Sequence, residues 1–325
     1  MAFVRIAILA WLAAFLAPGA QAGGVIDRIK AGGIIRCGGV PRPGLVGIAP
    51  NGRAFGLYLD LCRAIGAALL GPQGRFEFHQ YDSDKAFDAA RSGSDDVMFL
   101  SGSEIVAAGL AGKVTPGPAV YFASTAVMVA GDSPARTLAD MAGQSICFRQ
   151  GFNAHRNLEA WFAAHGLSYI RMGYEEDVEL YDTYNAQVCH GLASESTLLA
   201  DARLSDAGKT LHSRILADPL AIFPIVAATP TEDAQWTALV GWAIDTLQRA
   251  EIPATPWAAG GLDALPVKAP ELDLAPDWQS RVVAAAGDYG AIYARNLGAA
   301  SLLALPRGPN APLRDGGLFA PPYLE

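Results

Sequence analysis

One stretch of the chain combines a predicted strand end with side chains that could contact a bound solute. Residues 95–104 read DDVMFLSGSE and place a four-residue apolar run directly before Ser101 and Ser103. The apolar run predicts a short buried strand, and open α/β sheets bind ligands outside the carboxyl ends of their strands. The two hydroxyls are therefore candidate ligand contacts. The alternative is that they only cap the helix that follows.

The motifs of common enzyme classes do not occur in the sequence. There is no recognisable nucleophile–histidine pair, no metal-ligand motif of the HExxH type and no phosphate-binding loop. A net charge of −8 without a cluster of lysines or arginines argues against nucleic acid as a partner, because phosphate binding needs a basic face. We therefore predict no cofactor, and the residues favour binding over catalysis.

The amino terminus has the pattern of a secretory signal peptide. Residues 1–22 combine Arg5, an apolar core and an Ala20-Gln21-Ala22 ending, which predicts export and cleavage after Ala22. An uncleaved membrane anchor is the alternative, but the apolar core is short for a membrane span. No later segment of the sequence is apolar and long enough to cross a bilayer. We expect the mature chain to be soluble and exported.

Four cysteines occur in this exported chain: Cys37, Cys62, Cys147 and Cys189. An even number of cysteines can oxidise completely in such a compartment. Their spacings match neither a CxxC redox motif nor a zinc site. Two structural disulfides are therefore the preferred interpretation, and the spacings leave the pairing open.

Strand-like and helix-like segments must position these residues, and they alternate along the chain. The first strand-like runs are IIRCGGV, FEFHQYD and VMFL, with FGLYLDLCRAIGAALLG and KAFDAARSGSDD as the helices between them. This alternation predicts an open, largely parallel sheet. The alternation of strands and helices begins again after Gly131, where SICF, SYIRMGY and CHGLAS are the strands. Before them, SPARTLADMAG predicts a helix capped by Ser133 with Pro134 at its first position.

Two extended segments, TAVMV and PLAIFPIVA, flank this second unit and predict two crossings between lobes. We expect residues 23–130 and 220–255 to form lobe 1 and residues 131–219 to form lobe 2. Residues 256–325 are then a carboxyl-terminal extension that packs on lobe 1. Two crossings make a hinge with a cleft, and such hinges close around ligands.

Several runs of the mature chain have a characteristic order and spacing, and they include IIRCGGV, FGLYLDLCRAIGAALLG, QSICFRQGFN and AQVCHGLAS. In these runs the chain resembles one family, the periplasmic solute-binding proteins of polar amino-acid ABC transporters (family 3). The tail, with DWQSRVVAAAGDYGAIYARNLG and LPRGPNAPLRDGGLFAPP, is similar to the general L-amino-acid-binding branch. The resemblance implies the two-lobe, type II periplasmic-binding-protein fold, α/β with mixed open sheets. It also implies a monomer in the periplasm, an ABC permease in the inner membrane as partner, and the disulfides Cys37–Cys62 and Cys147–Cys189.

The resemblance also implies roles for residues of lobe 1. Ser101 and Ser103 fall on the turn after the predicted strand VMFL, where the family contacts its ligand. A few residues later, an arginine that would bind the ligand α-carboxylate is replaced by Ala108. Arg42, in the loop PRPGLVG, is the first candidate to compensate, because a guanidinium binds a carboxylate as a two-pronged fork. Leu45 of the same loop stands where an aromatic lid residue is expected.

For lobe 2, the resemblance implies ligand contacts at two places. Phe152 and Asn153 occupy a loop where the family has hydroxyl side chains at a helix start. Asn153 can still donate and accept hydrogen bonds, whereas Phe152 contacts the ligand or packs within the protein. Glu195 stands where the family has an aspartate for the ligand ammonium, and a surface role is its alternative. Arg149 and Arg156 flank the loop as further candidates to replace the missing arginine.

The leading functional hypothesis is a periplasmic solute-binding component of an ABC importer. It would capture an amino acid or amino-acid-like solute by hinge closure. The altered site keeps a second hypothesis open, an exported accessory or sensor-feeding binding protein without transport. A third is a dehydratase-like enzyme on the same fold with Glu195 as general acid.

Overall fold

The computed structural model describes most of the mature chain, namely residues 24–48, 53–107, 109–110, 112–252, 272 and 274–321. The predicted signal peptide, Ala108 and residues 256–271 of the predicted extension lie outside the described residues. Within those ranges, no helix has both the length and the apolar character to span a bilayer.

Strands and helices alternate through the amino-terminal part, as the sequence predicts. In chain order the elements are α1 (Gly24–Gly32), β1 (Ile34–Gly39), β2 (Gly47–Ile48), β3 (Ala54–Phe55), α2 (Leu57–Leu70), β4 (Arg75–Gln80), α3 (Ser83–Ser92), β5 (Val97–Ser101) and α4 (Gly102–Ala107). Helix α2 buries Leu57, Leu61 and Ile65, which recur about once per turn, against the sheet. It ends at Gly71, whose positive φ of 69° suits glycine.

The rest of the chain forms the second lobe, returns to the first and ends in the carboxyl-terminal segment. In chain order the elements are β6 (Val114–Val129), β7 (Ser145–Arg149), α5 (Asn153–Ala164), β8 (Ile170–Tyr174), α6 (Asp177–Asn185), β9 (Gly191–Glu195), α7 (Ser196–Ala202), α8 (Asp206–Thr210), β10 (Arg214–Ile215), β11 (Ala221–Pro230), α9 (Ala234–Ala250), α10 (Trp278–Ala286) and α11 (Tyr289–Asn296).

One continuous sheet runs through both lobes in the order β4-β1-β5-β11-β6-β9-β7-β8, with β10 also paired to β6. Pairing is parallel where β1 joins β4 and β5, and where β7 joins β8 and β9. The long strands β6 and β11 pair antiparallel with each other and with their neighbours. The sheet is therefore mixed, and the two-lobe α/β class follows from the two long crossing strands. TAVMV is only the far end of β6.

The predicted helix in SPARTLADMAG is wrong. Only a short 3-10 turn, Ala139–Met141, forms in this segment. The Asp140 carboxylate accepts hydrogen bonds of 2.8 Å from the backbone N–H groups of Arg136 and Thr137. Such local side-chain bonds compete with the helical ladder, and they fix an irregular loop whose Leu138 is buried in the lobe 2 core.

Both cysteine pairs implied by the resemblance are at bonding distance. Cys37 of β1 is joined to Cys62 of α2, with the sulfurs 2.03 Å apart, and Cys147 of β7 is joined to Cys189 at 1.99 Å. Each bridge ties neighbouring elements within one part of the sheet. Neither bridge crosses between the two groups of parallel strands, so the crossing strands carry no covalent constraint from them.

The acidic pair before β5 is structural. Asp96 is buried and accepts hydrogen bonds from the Arg36 backbone N–H, at 2.8 Å, and from the Arg28 guanidinium. Its backbone carbonyl accepts from the Trp236 indole at 2.7 Å. Asp95 accepts from the Tyr81 hydroxyl at 2.8 Å. These bonds fix the strand that leads to Ser101.

The carboxyl-terminal segment packs behind the crossing strands. The Tyr289 hydroxyl donates to the Val120 carbonyl at 2.7 Å. The buried Asn310 side chain accepts from the Phe122 N–H at 2.7 Å and donates to its carbonyl at 3.0 Å. The Arg203 guanidinium at the end of α7 donates to the Leu303 carbonyl. The segment thus contacts β6 and also a residue within the range predicted for lobe 2. The lobe boundaries themselves stay a prediction.

Candidate functional site

A small pocket lies where the crossing strands pass from one lobe to the other. Its cavity volume is about 60 Å³. Residues of β5, α4, β6 and β11 form one wall, and residues of β9, α7 and the start of α5 form the other. The lining residues are Val40, Arg42, Leu45, Tyr58, Phe87, Phe99, Leu100, Ser101, Glu104, Tyr121, Ala123, Ser124, Asn153, Glu195, Ser196, Thr197, Phe223 and Ile225. We call this the inner pocket.

Opposite charges from the two lobes meet in the inner pocket. Arg42 Nε donates to Glu195 Oε2 at 2.9 Å, and Arg42 Nη1 donates to the Pro41 carbonyl. Arg42 follows β1 in the range predicted for lobe 1, whereas Glu195 ends β9 in the range predicted for lobe 2. Their side chains are 31% and 25% exposed, so the pair is only partly solvated. A guanidinium therefore faces the cleft, at the first of the positions that the sequence suggested.

The segment after β5 adds the hydroxyls of Ser101 and Ser103 and the carboxylate of Glu104 to the site. Ser101 lines the inner pocket, and its Oγ lies 2.8 Å from Ser103 Oγ, with which it shares a hydrogen bond. Glu104, three residues after Ser101, also lines the pocket. Burial raises the pKa of the Glu104 carboxyl, the Ser101 backbone N–H opposes this shift, and the Glu195 charge adds to it. Ser101 and Glu104 match a helix capping box, so capping and pocket lining coexist at this strand end.

Aromatic side chains line the lobe 1 wall, although none comes from the loop where a lid was expected. Leu45 occupies that loop and is buried against the pocket. Tyr58 of α2 and Phe99 of β5 stack with ring centroids 4.5 Å apart and an interplanar angle of 11°. Burial raises the pKa of the Tyr58 hydroxyl, which keeps it neutral. These aromatic side chains form an apolar wall beside the partly solvated ion pair.

The lobe 2 wall carries an amide and hydroxyl groups. Asn153 at the start of α5 lines the pocket, and its Oδ1 accepts from Arg156 Nη2 at 2.6 Å. The Ser196 hydroxyl of α7 shares a hydrogen bond of 2.6 Å with the hydroxyl of Ser124 of β6, on the opposite wall. This bond lies directly beside Glu195 in the chain and joins α7 to a crossing strand.

A larger groove continues from the inner pocket along lobe 2. It encloses about 700 Å³ between α6 and α7, and Arg42, Asn153 and Glu195 line both spaces. Phe152 stands at its rim with a 56% exposed ring, and the Arg149 guanidinium lies 5.2 Å from the ring centroid. We call this space the α6–α7 groove.

The structure thus brings most of the sequence-predicted site residues together. Five of them line the inner pocket: Arg42, Leu45, Ser101, Asn153 and Glu195. Ser103 reaches the pocket only through its bond to Ser101. Phe152 lines the α6–α7 groove instead, and the position of Ala108 lies outside the described residues. Their roles in binding a ligand stay predictions.

Sequence reasoning missed three kinds of lining residue. Glu104 stands three residues after Ser101, the spacing of a capping box, and this pattern indicates a helix start and not a pocket residue. Tyr58 lies on the apolar stripe of α2 and is indistinguishable from core. Ser124 lies within a crossing strand, where no motif marks it. Of the other arginines considered, Arg149 is bound to Asp177 at 2.8 Å, and Arg156 is bound to the Gly151 carbonyl at 2.9 Å.

The side chains that commonly bind metal ions do not cluster in the described part of the chain. No group of three or more histidine, cysteine, aspartate or glutamate side chains there is arranged to hold a metal ion. The site instead offers one guanidinium, two carboxylates, several hydroxyls and an aromatic wall.

The chain is similar along nearly all of its length to curated periplasmic binding proteins. It is 26% identical to the general L-amino acid-binding periplasmic protein AapJ of Rhizobium johnstonii, over 95% of this chain and 96% of the relative. It is 26% identical, with the same coverage, to the glutamate/glutamine/aspartate/asparagine-binding protein BztA of Rhodobacter capsulatus. The putative amino-acid ABC transporter-binding protein YhdW of Escherichia coli is 23% identical over 93% of each chain. No protein-family model matches the chain.

Solved structures share the fold. A periplasmic binding protein from Brucella ovis, with glutathione bound, superposes with a TM-score of 0.72 and 23% identity, over 90% of this chain and 97% of that one. The second substrate-binding domain of a putative amino acid ABC transporter from Streptococcus pneumoniae gives 0.54 and 14%, over 66% and 93%.

Proposed function

We propose that this chain, a homologue of the periplasmic amino-acid-binding proteins of ABC transporters, is the solute-binding component of an ABC importer. Its ligand is an amino acid or amino-acid-like solute. The observation that carries this proposal is the Arg42–Glu195 ion pair across the inner pocket. A zwitterionic head group needs one cationic and one anionic partner, and this pocket presents both, one from each lobe.

Binding would exchange one internal ion pair for two ligand contacts. The α-carboxylate replaces Glu195 as the partner of the Arg42 guanidinium, whose fork matches a carboxylate. The α-ammonium then lies between Glu195 and Glu104, within reach of the Ser101 hydroxyl. A hydrogen bond to a charged group contributes about 1.5 to 3 kcal/mol. Arg42 thereby takes the role of the arginine that the chain lacks at Ala108.

The same contacts couple binding to closure of the hinge. Because Arg42 and Glu195 belong to different lobes, a solute that holds both favours the closed arrangement by its differential affinity for it. The curated relatives are named as binding proteins, and the proposal requires no reaction. We further propose that the mature chain is a monomer, released into the periplasm after Ala22, and that it delivers the solute to an inner-membrane permease.

A thermal-shift panel tests the proposal. The probes are the free L-amino acids, their carboxamides and their N-acetyl derivatives. We expect some free amino acids to raise the melting temperature, because a ligand that binds only the folded state stabilises it. The matching derivatives should do so much less, since each lacks one of the two head-group charges.

Two variants provide the controls. Arg42→Gln should abolish the shift, whereas Arg91→Gln, which breaks an exposed ion pair with Asp88 on α3, should preserve it. Stabilisation by no free amino acid, or equal stabilisation by the carboxamides, would overturn the assignment of Arg42 and Glu195 to a zwitterion.

A further inference from the structure

We propose that the α6–α7 groove is the side-chain subsite of this protein, and that its solute is an α-amino acid with a long side chain ending in a cation. The inference rests on the proposed function, because it takes the head group to lie in the inner pocket. It adds where the rest of the solute lies and what chemistry that part carries.

The volumes of the inner pocket and of the α6–α7 groove indicate which part of the solute lies in each space. A cavity of about 60 Å³ holds roughly four to six water-sized groups, since each needs about 10 to 15 Å³. That is room for an amino group, an α-carbon and a carboxylate, with little left for a side chain. The groove of about 700 Å³ opens beside it. A longer side chain must therefore leave the inner pocket through the shared opening.

The opening lies at the charged residues themselves. Arg42, Asn153 and Glu195 line both the inner pocket and the groove. A head group bound by Arg42 and Glu195 consequently has the groove directly beside it, on the lobe 2 side. On the lobe 1 side, the buried side chains of Leu45, Tyr58 and Phe99 line the inner pocket.

The groove suits an apolar chain along its floor. Leu180 and Tyr184 of α6 and Leu198 and Ala202 of α7 line it. Methylene groups laid against this surface gain about 0.8 kcal/mol each on full burial, and proportionally less in an open groove. A side chain with several methylene groups therefore binds more tightly than a methyl group.

The groove as a whole carries an acidic excess. Its charged lining residues are Arg42, Arg149, Asp177, Glu195 and Asp201, two cations and three carboxylates. Arg149 is bound to Asp177 at 2.8 Å and Arg42 to Glu195 at 2.9 Å. Among the described residues no cation lies within ion-pairing distance of Asp201. A cationic group on the solute would supply that partner.

Asp201 lies further along α7 than the head-group site. Leu198 and Asp201 are three residues apart and share one face of the helix, whereas Glu195 precedes the helix as its N-cap residue. Asp201 is about 7.5 Å along the helix axis from Ser196, the first residue of α7. Only a long side chain spans that distance from the head group to the carboxylate.

Calorimetric titration with three amino acids tests this subsite. L-Alanine supplies the head group alone, L-homoarginine adds a long chain with a guanidinium, and L-homocitrulline replaces that guanidinium by a neutral ureido group of the same shape. We expect L-homocitrulline to bind at least about tenfold more tightly than L-alanine. L-Homoarginine should gain about a further fivefold, the upper range for a solvated ion pair.

One variant and a matched control locate the effect. Asp201→Asn should remove the difference between L-homoarginine and L-homocitrulline and leave L-alanine binding unchanged. Asp182→Asn, at an exposed position of α6 outside the groove lining, should preserve the difference.

The outcomes separate the two levels of inference. Equal affinities for L-alanine and L-homoarginine would overturn the subsite and leave the proposed function standing. Equal affinities for L-homoarginine and L-homocitrulline, or a difference that survives Asp201→Asn, would overturn the cationic assignment. Absence of binding by all three would overturn both the subsite and the head-group site.

Discussion

Replacing Arg42 and Glu195 singly and together measures how strongly the two lobes are coupled through the inner pocket. The pair joins Nε and Oε2 at 2.9 Å, with side chains 31% and 25% exposed. Two unit charges 4 Å apart attract by about 4 kcal/mol at an effective dielectric constant of 20. Fully exposed pairs are reduced to about 0.2 to 1 kcal/mol by solvation and side-chain entropy. We therefore expect a coupling free energy of about 1 to 2 kcal/mol for this partly solvated pair.

Urea unfolding of the wild type, Arg42→Gln, Glu195→Gln and the double variant gives this coupling as a double-mutant cycle. The cycle is then repeated with a saturating amino acid from the panel. The coupling should increase, because either single substitution already removes the stabilisation by the ligand and the second substitution removes no more. The exposed Arg91–Asp88 pair on α3 should give about 0.5 kcal/mol or less under both conditions.

Two results would refute the reasoning. A coupling near zero without ligand would mean that the two side chains do not pair across the cleft. A coupling that the ligand leaves unchanged would mean that the solute lies elsewhere, since all four proteins would then be stabilised equally.

Two further predictions concern stability. Burial raises the pKa of Glu104 above its ordinary 4.5. The folded state therefore binds this proton more tightly than the unfolded state does. As a consequence, the free energy of unfolding should fall as pH rises from 4.5 through the folded pKa. Glu104→Gln keeps the cap and should flatten this decline in urea unfolding followed across that range; an unchanged slope would contradict the assignment. Asn310→Ala should lower the free energy of unfolding by about 2 to 4 kcal/mol, because both backbone groups of Phe122 lose their partner. Asn296→Ala serves as the control variant. Asn296 is also buried, but it binds Asp60 and does not hold a crossing strand.

Much of the fold was predictable because short-range physics determines it. The helix α2 follows from apolar residues once per turn, and its end from Gly71. The parallel groups of strands follow from alternation with helices. The segment around Asp140 was not predictable in this way, because its carboxylate satisfies the backbone locally where Pro134 suggested a helix start. The full length of β6 was also missed, since its polar and glycine-containing start, VTPGPA, lacks strand periodicity.

The site was predictable in its parts but not in its pairing. The family resemblance marked Arg42 and Glu195 as candidates, yet 153 positions separate them in the chain, and no local pattern indicates that they meet. The α6–α7 groove likewise depends on how two helices of lobe 2 stand apart, which sequence periodicity does not determine. Phe152, the N-cap residue of α5, lines this groove as well.

The central claim is that the Arg42 guanidinium binds the solute carboxylate. Calorimetric titration of wild type and Arg42→Gln with each stabilising L-amino acid and its carboxamide tests it most directly. The account predicts that the wild type prefers the free acid by about 10- to 150-fold, the equivalent of one charge-assisted hydrogen-bonded contact. It further predicts that Arg42→Gln binds acid and carboxamide equally. A variant that keeps the full preference for the free acid would contradict the claim.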